Sequence, residues 1–260
     1  MAIPRTEVDP RRVTGPRILV LGAFLAVLAS FAGGVASAGQ QACGSGRHGS
    51  DGYAYAGLQS KARAHGVRAR ITVLEAPVVA SGHAAAWIGV GGTDAGPNGE
   101  DEWLQVGIAA LPGMEPLLYA EVTRPGAEAE FLSLDEAAHV GETQTLAVLE
   151  MSKRPGWWRV WVGGQPATAP IRLRGSSGRW QPIATAESWN GGQQVCNRFA
   201  FRFERVGVAG WRGGSWHAFV PGKRFLDQGY ALQQLRPSPG AARTLAADPI
   251  RPFAFEAVSS

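Results

Sequence analysis

From Val67 onward, apolar and polar positions alternate with a period of two over short runs, and turn-forming clusters separate nearly all of them. Side chains of a strand project to opposite faces in turn. The alternation therefore predicts strands over 69–75, 84–91, 102–109, 117–124, 144–151, 157–163, 170–174, 182–189, 197–208 and 215–220. The punctuation is Gly96-Pro97-Asn98-Gly99, Arg124-Pro125-Gly126, Gly163-Gly164-Gln165-Pro166 and Gly175-Ser176-Ser177-Gly178. Short strands at this spacing, with no helical periodicity between them, predict an all-β fold, an antiparallel sandwich or barrel, of which a two-sheet antiparallel β-sandwich is the form expected here. Residues 157–162 and 170–173 read as a hairpin, and Phe199, Phe201 and Phe203 share one face that fills the core. Residues 39–66 read as an N-terminal arm, Gly- and Ser-rich at first and with one short helical turn over 53–65. The sandwich is expected over 67–235, followed by a Pro- and Ala-rich C-terminal tail over 236–260.

One stretch stands out, Ala84 to Ile108. In its first strand Ile88 and Val90 take one side, and Trp87, Gly89 and Gly91 the other. In its second, Leu104, Val106 and Ile108 oppose Trp103, Gln105 and Gly107. One face is aliphatic; the other carries two Trp, an amide and bare backbone. Glycine inside a strand marks a place where something approaches closely. That neighbour is either a ligand lying over the sheet or a crowded strand beside the Trp pair.

The N-terminus changes the meaning of the charge. Arg5, Arg11, Arg12 and Arg17 precede an apolar run from Ile18 to Val35, and Ala36-Ser37-Ala38 follows as a small-residue cleavage site. This is the pattern of a secretory signal peptide over residues 1–38, with an uncleaved membrane anchor at 18–35 as the alternative. Both place the remainder outside the cytoplasm, secreted or anchored there. The full chain carries +4; without residues 1–38 it has 21 basic against 19 acidic side chains. That balance argues against a dedicated nucleic-acid partner. The two cysteines, Cys43 and Cys196, are expected to form a disulfide in an exported chain, worth about 4–5 kcal/mol for so long a loop. Lacking CxxC spacing and a paired histidine, they do not suggest a metal site.

No GxSxG elbow, HExxH, phosphate-binding loop or dinucleotide fingerprint occurs. The five histidines are scattered and read as surface or turn residues. Nothing calls for a cofactor or metal, and the chain reads as a monomer. What stands out is polar residues on aromatic-lined strand faces: Gln105 beside Trp103, Tyr119 two residues from Glu121, and Glu187 two residues from Trp189. A carboxyl group in such a groove loses solvation and gains proton affinity, which suits it to accept and return a proton. An amide can donate to a developing oxyanion. The structural alternative is that Glu121 and Glu187 pair with arginines such as Arg159 or Arg202.

The motifs Ala86-Trp-Ile-Gly-Val-Gly-Gly92, Trp103-Leu-Gln-Val-Gly107, Tyr119-Ala-Glu-Val122 and Ala186-Glu-Ser188 resemble those of the eqolisins, the glutamic peptidases. That family carries Trp-x-Gly-Ile-x-Gly, Leu-Gln-x-Gly, Tyr-Glu-Trp and Ala-Glu-Trp in the same order. The resemblance spans about residues 84–205. It implies a concanavalin-like sandwich with a concave groove, Gln105 and Glu187 as the catalytic pair, and Trp87 and Glu121 in the groove wall. Trp103, Tyr119 and Trp189 would join them in holding a polypeptide substrate. The chain departs from the pattern at Ala120, Val122 and Ser188. The competing function is a non-catalytic lectin-like module that stacks its tryptophans on a polysaccharide, or an interaction protein that keeps the scaffold.

Overall fold

The computed structural model describes residues 52–193, 195–235 and 253–259. Within them the chain is β throughout, apart from one short 3-10 turn at Pro97–Gly99. The strands are β1 (Tyr53–Ser60), β2 (Gly66–Val78), β3 (His83–Gly92), β4 (Glu102–Ala110), β5 (Leu117–Thr123), β6 (Glu130–Ala137), β7 (Thr143–Glu150) and β8 (Trp157–Val162). They continue with β9 (Gln165–Pro166), β10 (Ile171–Arg172), β11 (Ile183–Trp189), β12 (Arg198–Trp211), β13 (Gly214–Ala218), β14 (Pro221–Leu226), β15 (Tyr230–Gln234) and β16 (Phe253–Ser259).

Two antiparallel sheets form a sandwich. One has seven strands in the order β14-β1-β11-β3-β4-β5-β6. The other runs β10-β8-β7-β2-β12-β16-β15, with β13 added to β12 and β9 to β8. The aliphatic face of the 84–108 stretch is what closes the first sheet onto the second. Ile88, Val90, Leu104, Val106 and Ile108 are all in the core, together with Leu118, Ala120 and Val122 of β5. The second sheet answers with Val67, Ala69, Ile71 and Val73 of β2, Leu146 and Val148 of β7, and Trp158 and Val160 of β8. Phe199, Phe201 and Phe203 enter the same core, with Phe203 stacked on Phe255 at 4.5 Å between centroids.

All ten expected strands are present, and the sheets also draw on both flanking segments. Residues 53–60 form strand β1, not a helical turn: Ala54, Ala56 and Leu58 point into the core while Tyr53 and Tyr55 take the other face. The inward side chains are mostly alanines, so the alternation carries little hydrophobic contrast. In the 236–260 segment, Phe253, Phe255 and Ala257 alternate inward and make β16 an interior strand between β12 and β15. The Gly163-Gly164 turn, with φ of 57° and 84°, leads β8 first into β9; β10 then returns to pair with Trp157 and Trp158. Residues 1–38 and Cys43, with the expected leader and disulfide, lie outside the described residues. No described helix is long and apolar enough to cross a membrane.

Candidate functional site

The second face of the seven-stranded sheet is directed away from the core, and strand register builds it row by row. Trp87, Gly107 and Tyr119 are direct neighbours on β3, β4 and β5. The next row holds Gly89, Gln105 and Glu121; the row beyond it holds Gly91, Trp103 and Thr123. On the other side of Trp87, Tyr55, Glu187, Ala85 and Ala109 form a row across β1, β11, β3 and β4, followed by Tyr53, Trp189 and His83. Every site residue expected on strands therefore shares this one face: Trp87, Trp103, Gln105, Tyr119, Glu121, Glu187 and Trp189.

Glu187 is 8% exposed and each of its oxygens meets a donor. Trp87 Nε1 donates to Oε2 at 3.0 Å, and His83 Nε2 lies 2.9 Å from Oε1. Neither partner is an arginine; Arg202 pairs instead with Glu256. His83 is also no turn residue. It opens β3 with its ring among Tyr53 and Trp189, at 5.9 and 5.8 Å between centroids. Those two rings stack on each other at 5.9 Å and 21°. The buried Asn197 fixes this corner. Its amide donates to the carbonyls of Ser81, His83 and Trp189 and its oxygen accepts from Ala80 N, tying the start of β3 to the end of β11. Periodicity singled out neither His83 nor Asn197, because their roles depend on which strands pair. The available signal for His83 was its parity with Ala85 and Trp87.

Gln105 is 6% exposed and donates from Nε2 to Tyr119 Oη at 3.1 Å. Burial, then the charges of Glu187 and Glu121, drive the Tyr119 pKa far up, so its hydroxyl stays protonated. Tyr53 is pushed up to about 12 by burial first and by Glu187 next. Glu121 accepts from Trp103 Nε1 at 3.0 Å. Its pKa is raised, mainly by desolvation and then by Glu187, against smaller lowering contributions from Trp103 and His83. Tyr119 stacks on Phe131, itself 44% exposed, at 5.1 Å and 8°. Gln105 and Glu187 sit two strands apart and four residues offset, each bonded to one of the two rings, Tyr119 and Trp87, that lie between them in register.

The glycines of this face answer to strand crowding. A Cβ on Gly107 would lie 2.2 Å from the Ala86 carbonyl oxygen and 2.7 Å from Trp87 Cβ. One on Gly89 would meet Leu104 O at 2.8 Å and Gln105 Cβ at 2.9 Å. Their absence of side chain is explained by the neighbouring strand, with no ligand required. Among the described residues no group of three or more His, Cys, Asp or Glu side chains is placed to hold a metal ion.

No family model matches the chain, and no curated protein matches it. Among solved structures it is similar to scytalido-glutamic peptidase bound to a transition-state analog inhibitor, at 12% identity and a TM-score of 0.49, over 80% of this chain and 98% of that one. It is also similar to the eqolisin SCP-B in complex with the tripeptide Ala-Ile-His, at 13% identity and 0.45 over 80% and 98%. A β-glucanase from Bacillus licheniformis is similar at 13% and 0.34 over 64% and 85%. These are likenesses of fold; peptide-cleaving and carbohydrate-active sandwiches both occur among them.

Proposed function

We propose that the open face of the seven-stranded sheet hydrolyses peptide bonds in an exported protein, with Glu187 as the proton-transfer group and Gln105 as the oxyanion donor. The observation that carries this reading is Glu187 itself: a carboxylate enclosed among aromatic rings, with one donor fixed on each oxygen, on the same sheet face as Gln105. A carboxylate so held is oriented without being neutralised by an arginine.

In the step inferred, Glu187 takes a proton from water as the water oxygen bonds to the scissile carbonyl carbon. The carbonyl oxygen becomes an oxyanion and accepts from the second N–H of Gln105, whose amide is oriented by Tyr119 Oη. The C–N bond then breaks and the proton held by Glu187 passes to the leaving nitrogen. The extended substrate would lie over the gap between the two side chains, above Trp87 and Tyr119. Glu121, a second carboxyl group whose proton affinity is raised by burial and by Glu187, would act through binding and through its effect on Glu187.

The test is proteolysis of a denatured protein substrate across pH 2 to 8. Glu187→Gln is expected to abolish turnover while leaving the unfolding midpoint close to that of the parent. Gln105→Ala is expected to slow it by about 10²–10³, the scale for one lost oxyanion donor. Full activity in Glu187→Gln refutes the reading. A second reading, a sugar-binding platform on this face, is supported by the stacked pairs Tyr53–Trp189 and Tyr119–Phe131. It predicts no cleavage by the parent and neutral-oligosaccharide binding that is lost in Trp189→Ala.

A further inference from the structure

The opposite side of the sandwich, the outer face of the second sheet, has a hollow of its own. Along β8, Trp158 and Val160 point into the core, so Trp157, Arg159 and Trp161 point out. Arg68, Ala147 and Trp161 form one row across β2, β7 and β8, and the small alanine between two long side chains makes a floor. Trp216 of β13 stands beyond, with the Arg68 guanidinium 4.8 Å from its ring centroid. The hollow is open to solvent on one side and about 480 Å³ in volume, and Arg68, Arg159, Trp161, Trp216 and Glu150 are among its lining residues.

Its electrostatics are lopsided. Among the described residues Glu150 is the one acidic residue in the wall, and both its oxygens are engaged elsewhere. Gly156 N donates to Oε1 at 2.6 Å, and His65 Nδ1 lies 2.6 Å from Oε2. Arg159 Nε and Trp161 Nε1 are both enclosed without an acceptor among the described residues. A buried donor without an acceptor destabilises the fold, and few are tolerated in a folded protein. Two of them, side by side on neighbouring outward positions of one strand and flanked by a second arginine, point to an incoming group rich in acceptor oxygens and negatively charged.

The volume says more about the ligand. It falls within the range of about 300–1,000 Å³ typical of small-molecule sites, so a bare inorganic anion leaves most of it unfilled. Indole walls beside a guanidinium suit a compact ring, and Thr145 and Ser152 in the lining add hydroxyl groups. We infer that this cavity is a second ligand site, independent of the Glu187 face, that takes a carboxylated sugar: a hexuronic acid, alone or at the end of an oligosaccharide.

The test is calorimetric titration of the full chain with oligogalacturonate, beside the neutral galactose oligosaccharide and inorganic sulfate as separate probes. Saturable binding of the oligogalacturonate alone is expected, unchanged in Glu187→Gln and weakened about 10–100-fold in Arg159→Gln. Trp161→Phe keeps the ring, removes the N–H and is expected to weaken binding by a smaller factor. Equal binding of the neutral sugar overturns the charge assignment, and equal binding of sulfate overturns the sugar. Absence of binding, or a loss in Trp189→Ala with none in Arg159→Gln, overturns the site. Both Arg159→Gln and Trp161→Phe alter half-buried outward positions, and their unfolding midpoints check that each variant is folded.

Discussion

Replacing Trp87 by Phe asks whether the open face holds its carboxylate through the indole. The substitution keeps an aromatic ring but removes Nε1, which donates to Glu187 Oε2 at 3.0 Å in a buried setting. Hydrogen bonds to charged groups contribute about 1.5–3 kcal/mol. The smaller ring also leaves a void, adding about 1 kcal/mol. The single variant should therefore lose about 2.5–4 kcal/mol in urea unfolding at neutral pH. That total mixes packing with hydrogen bonding, so the decisive number is the coupling in a cycle with Glu187→Ala and the double variant. A coupling of about 1.5–3 kcal/mol is expected, and it should persist in 1 M salt because solvent ions screen buried pairs poorly. Independent sites add to within about 0.3–0.5 kcal/mol. A coupling inside that band would refute the claim that Trp87 holds Glu187, and with it the argument that the carboxylate is preorganised.

Two further outcomes test the same face. The folded-state pKa of Glu121 is raised, so its protonated form favours folding below the unfolded-state value and that contribution is lost as pH rises through the folded-state value. Glu121→Gln, whose amide oxygen still accepts from Trp103, should be more stable than the parent at pH 7, and the gap should close as the pH falls into the acid range; urea midpoints from pH 3 to 8 measure it, and a gap that widens in acid contradicts the assignment. Gly107→Ala places a methyl group 2.2 Å from the Ala86 carbonyl oxygen, so β3 and β4 must part beneath Trp87; a loss of about 1–3 kcal/mol is expected, together with a shift in indole fluorescence, and an unchanged midpoint would show that the strands have room.

Strand periodicity made most of the sandwich legible because burial on one face writes itself into every second residue. It was quiet where that contrast is weak. β1 turns alanines inward, and β14 and β15 are largely exposed. β6 was missed even though Leu132 and Leu134 pack against the core, because Glu130, Asp135 and Glu136 break up its alternation. β16 has a clear Phe253, Phe255, Ala257 alternation, obscured by the Pro- and Ala-rich residues before it. At the site, parity paired Trp103 with Gln105, Tyr119 with Glu121 and Glu187 with Trp189 on one face of each strand; that these faces and Trp87 share one side of the sheet followed from the resemblance and is set by strand order. It did not reach the bonds between them, since Glu187 with His83, or Gln105 with Tyr119, depends on strand neighbours and register. The glycines show the same limit: a close approach was readable, but whether ligand or strand makes it was not.

The position of β16 bears on how the molecule is made. Strand β12 can pair with β2 as soon as residue 211 is available, and β13 then covers residues 207–211 of its other edge, yet the 200–206 stretch of that edge stays open until residues 253–259 arrive. Until then, β12 presents a long edge with Phe201 and Phe203 beside it, the kind of template on which chains join one another. Closure also waits on contacts far apart along the chain, which slows folding. During synthesis, the interval between residues 211 and 253 is thus the window of greatest exposure to aggregation. Shortening the chain by its last seven described residues would leave that window permanently open.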